Sequence, residues 1–155
     1  MGLCSARSRN RTKACRTKAR LAPFRELRLY DGMSRGPLIC VVDDDASVLR
    51  ALRRLLRAGE FAVETFDSAE AFLRSEHRGD AHCLVVDVHL GGLSGLELQE
   101  RLTAAGTRTP VVFITAHDDA VTRERARRAG AVDYLRKPFD DATLLSAVQR
   151  AIGGR

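Results

Sequence analysis

Cys83-Leu84-Val85-Val86 runs directly into Asp87, an apolar stretch with no polar residue to break it. A strand with one wet face alternates apolar and polar residues. An unbroken run calls for cover on both faces, as inside a parallel sheet. Asp87 therefore stands at the carboxyl end of a buried strand. A turn with three glycines follows, Val88-His89-Leu90-Gly91-Gly92-Leu93-Ser94-Gly95, and Ser94-x-x-Glu97 is a capping-box signature. Leu93 and Leu98 are spaced for a hydrophobic staple, so a helix begins there. In open parallel sheets, ligands and chemistry gather at the edge where strands end in this way.

The same unit recurs along the chain. Leu38 to Val42 is an apolar run that ends in Asp43-Asp44-Asp45. Val48, Leu49, Leu52, Leu55 and Leu56 then repeat at helical spacing, with Arg50, Arg53, Arg54 and Arg57 on the other face and Gly59 as the stop. Phe61 to Phe66 reads as a short strand, and Ser68 caps a helix carrying Ala69, Phe72 and Leu73. A helix from Gly95 to about Ala105 closes at Gly106. Val111 to Ile114 ends in Thr115, and the loop Ala116-His117-Asp118-Asp119 leads to a helix through about Ala129. Val132 to Leu135 is the fifth strand, ending near Lys137-Pro138-Phe139. Asp140 or Asp141 then caps a last helix with Leu144, Leu145, Val148, Ala151 and Ile152 as its apolar face. Five strands alternating with five helices point to a doubly wound α/β sheet. Right-handed crossovers place every strand's carboxyl end on one edge.

Charge divides the chain into two parts. Residues 1–36 hold ten Lys/Arg against Glu26 and Asp31, a net of +8, whereas the remainder is −2. The pI of about 9.7 thus describes the leader, and the part that folds is mildly acidic. The leader is expected to be disordered or loosely helical, and Met33-Ser34-Arg35-Gly36-Pro37 resembles a natural chain start. Residues 1–32 are then either an upstream start without function, or an arm for nucleic acid, a membrane surface or transit. The apolar runs are strand-length, far short of the roughly 20 residues of a membrane span. Cys4, Cys15, Cys40 and Cys83 show no CxxC pattern or zinc spacing, and the last two are expected as buried free thiols. The expected organisation is a leader over residues 1–36 and one folded domain over 37–155, placed in the cytoplasm.

Four strand ends carry the chemistry. Asp87 follows Asp44 by 43 residues, Thr115 follows Asp87 by 28, and Lys137 follows Thr115 by 22, gaps that fit whole strand-helix units. The residues can therefore converge at one edge. Carboxylates crowded within a few ångströms need a compensating cation. A hard divalent ion with oxygen ligands suits them, and Mg²⁺ fits best because it takes one or two carboxylates plus waters and a phosphate oxygen. A carboxylate left over can attack phosphorus to form an aspartyl phosphate. Asp45 is placed as the helix N-cap in preference to a further metal acid.

These residues carry a resemblance. Residues from about Pro37 to Ile152 resemble the receiver domain of two-component response regulators. The resemblance rests on Val42-Asp43-Asp44-Asp45, strand-end Asp87 with Gly95 eight residues on, Ile114-Thr115-Ala116 and Lys137-Pro138-Phe139. Thr115 to Asp119 and Ala129-Gly130-Ala131-Val132-Asp133-Tyr134 look closest to the receivers of nitrogen-fixation and nitrate-type transcriptional regulators. The resemblance implies a five-stranded parallel flavodoxin-like fold in the order 2-1-3-4-5. It implies Asp87 as phosphoacceptor, and Asp43, Asp44, Asp87 and the backbone carbonyl of His89 around Mg²⁺, with Asp43 acting through water. It further implies Lys137 and Thr115 on the phosphoryl oxygens, Tyr134 as the switch aromatic that follows Thr115, and a cis Lys137-Pro138 bond. Where the family commonly carries Met-Pro, this chain has Leu90-Gly91 and then Gly92, which is expected to loosen the loop.

The function expected is a stand-alone receiver, not an enzyme in its own right, that takes a phosphoryl group from the phosphohistidine of a sensor histidine kinase. Output then runs through a downstream protein target or phosphotransfer partner, by way of the surface of the fourth helix, fifth strand and fifth helix, with a phosphorylation-linked homodimer as one form. After Ile152 only three residues remain, too few for a DNA-binding domain. The rival readings are a degenerate receiver that binds proteins without phosphate, and nucleic-acid binding through residues 1–36. Arg123, Arg125, Arg127 and Arg128 read either as a solvated face or as a basic partner surface. His117 reads either as a gate over the phosphate or as an ordinary loop residue.

Overall fold

The computed structural model describes residues 36–154, so the basic leader, Cys4 and Cys15 lie outside the described residues. The element order is β1 (Leu38–Val42), α1 (Ala46–Ala58), β2 (Ala62–Phe66), α2 (Ala69–Arg74), a 3₁₀ turn (Glu76–Gly79), β3 (Cys83–Asp87), α3 (Gly95–Ala104), β4 (Val111–Thr115), α4 (Ala120–Arg128), β5 (Asp133–Arg136) and α5 (Asp141–Gly153). All pairings are parallel, and the strands lie in the order β2-β1-β3-β4-β5.

The unalternating runs are explained by cover on both faces. Ile39, Val41, Cys83, Val85, Val112 and Ile114 share one core with Leu52 and Leu56 of α1 and with Leu144, Val148 and Ala151 of α5. Their neighbours Cys40, Val42, Leu84, Val86, Val111 and Phe113 share the other with Phe72 of α2, Leu98 and Leu102 of α3 and Ala126 of α4. Burying each large apolar side chain contributes about 1.5–3 kcal/mol, so neither layer is dispensable. Cys40 and Cys83 are free thiols, one in each core, and burial pushes each up to about 12. Neither is a nucleophile at neutral pH.

Helix starts follow the capping residues. Asp45 accepts the Ser47 N–H at 2.8 Å, Ser68 the Ala71 N–H at 3.0 Å, and Asp119 the Thr122 N–H at 2.8 Å. Ser94 and Glu97 form the reciprocal capping box. Asp140 occupies the N-cap of α5 but makes no capping bond with its side chain. The fifth strand lies one residue later than Val132–Leu135. It is an edge strand that pairs only with β4, so its start is set by one ladder, which opens at Val112 opposite Asp133. No described helix is long and apolar enough to cross a membrane.

The amino ends of the strands are closed by backbone. Ala62 N–H donates to Pro37 O (3.1 Å), His82 N–H to Leu38 O (2.8 Å), Leu84 N–H to Pro110 O (2.9 Å) and Val132 N–H to Val111 O (2.8 Å). His82 is exposed, yet its Nδ1 accepts the Leu38 N–H at 3.1 Å.

Candidate functional site

At the opposite edge backbone bonds again join strand ends, Asp43 N–H to Phe66 O at 3.1 Å and Val88 N–H to Ile114 O at 2.9 Å, but here the chain adds buried charge. Asp43 directly follows β1 and is fully buried, and Asp87 ends β3 with 6% of its surface exposed. Lys137 follows β5 through a backbone bond from its N–H to Thr115 O at 2.7 Å. Its ammonium donates to Asp43 Oδ2 and to Asp87 Oδ2, at 2.9 Å each. The other carboxylate oxygens are held by the loops: Asp43 Oδ1 accepts the Asp45 N–H and Asp87 Oδ1 the His89 N–H, both at 2.9 Å. Both acids are thus oriented from two sides. The Lys137-Pro138 bond is cis.

The electrostatics follow from burial. Asp87 is pushed above the usual aspartate range by loss of water, against the pull of Lys137 and the His89 N–H, with the Asp43 charge adding to the rise. Burial also works against the Lys137 ammonium, but its hydrogen bonds to Asp43 and Asp87 and their charges outweigh that and hold it above the usual lysine value. One cation thus serves two buried anions. Asp44, exposed beside them, completes a cluster in which one oxygen from each of Asp43, Asp44 and Asp87 lies within 4.8 Å of the others. An all-oxygen donor set of this kind fits a hard divalent cation such as Mg²⁺ and does not suit a soft metal.

Gly95 is required by packing. A Cβ there would come within 2.4 Å of Asp87 O, so only glycine lets α3 start against the end of β3. Asp45 is engaged as the N-cap of α1, as expected. His89 and His117 are both exposed and their rings meet edge to face at 5.9 Å beside the cluster.

Thr115 and Tyr134 lie nearby but outside the bridge. Thr115 is fully buried, and its hydroxyl donates to His117 O at 2.9 Å and accepts the His117 N–H at 3.1 Å. It is therefore engaged by loop backbone and not by the Asp43–Lys137–Asp87 bridge. The Tyr134 hydroxyl oxygen is buried without a hydrogen-bond partner, and the Arg123 guanidinium sits 5.8 Å from the ring centroid. Burial, with the Asp118 charge second, raises the phenol above its usual range. Arg123 pairs with Asp118, Arg125 with Glu100, and Arg127 and Arg128 with Glu124, so much of the positive charge on α4 is neutralised locally.

One residue escaped the sequence reading. Glu70 Oε1, in the first turn of α2, accepts the Leu93 N–H at 2.9 Å across 23 residues of chain. The loop expected to be loose at Gly91-Gly92 is thus tied at its far end. No local pattern marks Glu70, which looks like any acid near a helix start.

Comparison with known proteins agrees with this geometry. The family model described as response regulator receiver domain matches residues 39–149. Response regulator protein TodT of Pseudomonas putida is 40% identical over 118 residues, covering 76% of this chain and 52% of TodT. Transcriptional regulatory protein FixJ of Azorhizobium caulinodans is 42% identical over 113 residues, covering 73% of this chain and 54% of FixJ. The chain therefore spans about half the length of these curated relatives. Among solved structures, response regulator StyR superposes with a TM-score of 0.71 at 49% identity, covering 76% of this chain and 60% of StyR. The structure titled FixJ-N does so with a TM-score of 0.71 at 34% identity, covering 78% of this chain and 97% of that one. With its sheet order and its strand-end acids and lysine in place, the chain belongs to the response regulator receiver domain family.

Proposed function

We propose that Asp87 is the phosphoacceptor of a two-component pathway, taking a phosphoryl group from the phosphohistidine of a sensor histidine kinase. The observation that carries this reading is the Lys137 ammonium shared between Asp43 and Asp87 at 2.9 Å each, with the exposed Asp44 beside them. Asp87 sits at the mouth of the cluster with one oxygen held by the His89 N–H, so its carboxylate is presented in a single orientation. In the transfer, a bond forms between an Asp87 oxygen and phosphorus while the P–N bond of the donor breaks. The imidazole leaves with the electron pair and takes a proton.

Asp43, acting through water, Asp44, Asp87 and the His89 carbonyl would hold Mg²⁺, which supplies positive charge against the phosphoryl oxygens when bound. Lys137 is already directed at Asp87 and would pass from the carboxylate to a phosphoryl oxygen. Thr115 would give up its bond to the His117 carbonyl to donate to the phosphoryl group, and Tyr134, whose hydroxyl lacks a partner, would settle into the space beside it. Such a rearrangement would couple phosphate to the α4–β5–α5 surface with about 1–3 kcal/mol. That surface carries Val121, 72% exposed, an apolar contact for a downstream protein target, a phosphotransfer partner or a second copy of the domain. We place the protein in the cytoplasm, where buried free thiols such as Cys40 and Cys83 stay reduced.

The test is to incubate the full chain with Mg²⁺ and a small-molecule acyl phosphate and read the intact mass. Wild type should gain one phosphoryl group and Asp87→Asn none. An unchanged mass in wild type, under conditions that label another receiver, would favour a phosphate-independent binding module; labelling of Asp87→Asn would move the acceptor elsewhere.

A further inference from the structure

We propose that Glu70 is a positioning residue for the phosphoacceptor loop, fixing the segment 88–94 through the Leu93 N–H and so holding the His89 carbonyl in place for the metal. The inference rests on the function proposed above, and what it adds is a residue from α2 that no strand-end motif includes.

Three observations converge. Glu70 Oε1 accepts the Leu93 N–H at 2.9 Å, joining α2 to the residue just before the N-cap of α3. At the near end the loop is tied by the His89 N–H on Asp87 Oδ1 and by the Gly95 N–H on Val88 O at 3.0 Å. Without Glu70, no hydrogen bond among the described residues brings a side chain from outside the loop to the stretch from Leu90 to Leu93, which includes Gly91 and Gly92. Secondly, a Cβ on Gly92 would lie 2.7 Å from Glu70 Oε1. The backbone of Gly92 does not lie in the left-handed region, so what a Cβ there would meet is the Glu70 carboxylate alone, which would have to shift away from its present position. Thirdly, the Leu93 N–H holds the Glu70 carboxyl below its usual range, the mark of a bond made to the ionised form.

Loop rigidity that a proline would confer through its ring is here conferred by a charged tether from a neighbouring helix. The two solutions differ chemically. A proline acts through its own backbone and stays fixed, whereas a carboxylate is lost when its side chain is truncated or displaced.

The experiment uses the full chain as wild type, Glu70→Gln, Glu70→Ala and Gly92→Ala, with two readouts. Amide exchange at Leu93, without metal or phosphate, reports the tether alone. Titration with Mg²⁺ by calorimetry reports its consequence at the site. Glu70→Ala should lose Leu93 protection and bind Mg²⁺ about tenfold more weakly, the scale on which outer-shell partners of a metal site act. Glu70→Gln keeps an acceptor and should recover most of both; Gly92→Ala, which displaces the carboxylate, should match Glu70→Ala. Wild-type exchange at Leu93 in Glu70→Ala would overturn the proposal, as would lost protection with unchanged Mg²⁺ affinity. Failure of wild type to bind Mg²⁺ would overturn the positioning role together with the phosphoacceptor reading, while unchanged Leu93 exchange in Glu70→Ala would refute the tether alone.

Discussion

The two ends of the sheet are built on opposite principles. At the amino end, the backbone donors described above meet backbone carbonyls or His82 Nδ1. At the carboxyl end two buried carboxylates share one ammonium, and neither would be placed there for stability. Charges removed from water recover that loss only with near-ideal pairing, and one cation between two anions is not such a pairing. The same sheet therefore has one end joined by backbone groups and one where buried charge is added, and what distinguishes them is the price of burying charge.

The contrast can be broken most forcefully at Lys137. Lys137→Met leaves Asp43 and Asp87 facing each other without compensation and should lower unfolding stability by about 3 kcal/mol, measured by urea denaturation at neutral pH. A loss smaller than that of an ordinary surface substitution would mean the two acids are not strained. Mg²⁺ should then act in the stabilising direction. At about a hundred times its dissociation constant it adds about 2.7 kcal/mol to the folded state, and the rise in Tm should vanish in Asp44→Ala.

Asp87→Asn sharpens the comparison by sign. The folded pKa of Asp87 lies above its unfolded value, so its favourable contribution is complete only below the unfolded pKa and is lost as pH rises through the folded one. At neutral pH the charged side chain is a net cost. Replacing it with asparagine should stabilise the fold there, a gain that shrinks as pH falls through the raised folded pKa and is gone below the ordinary aspartate value of about 4. A loss of stability at neutral pH would show that Lys137 more than compensates Asp87. The smallest effect belongs to the other end. His82→Ala should cost about 0.5 kcal/mol through the Leu38 N–H and leave phosphoryl labelling unchanged.

Much of this was open to reading from the chain, for local reasons. Strand cores without alternation, Asp45, Ser68 and the Ser94–Glu97 box all announce themselves within a few residues, and the acids and the lysine stand where those strands stop. Relations made only in three dimensions were not legible. Glu70 meets Leu93 from a separate helix, and His82 accepts from a strand 44 residues away, pairings that leave no trace in spacing. The direction of the Thr115 hydroxyl was hidden for a different reason: a threonine at a strand end can serve the loop or the site, and its rotamer is set by the His117 backbone. β5 began one residue late because an edge strand has a single partner to fix it.

The bridge between Asp43 and Lys137 joins positions 94 residues apart. A nascent chain leaving the ribosome displays its acids first, while the lysine that completes the cluster arrives with the last strand. On the function proposed above, the cluster that would take up phosphate is therefore complete only once the last strand has been made.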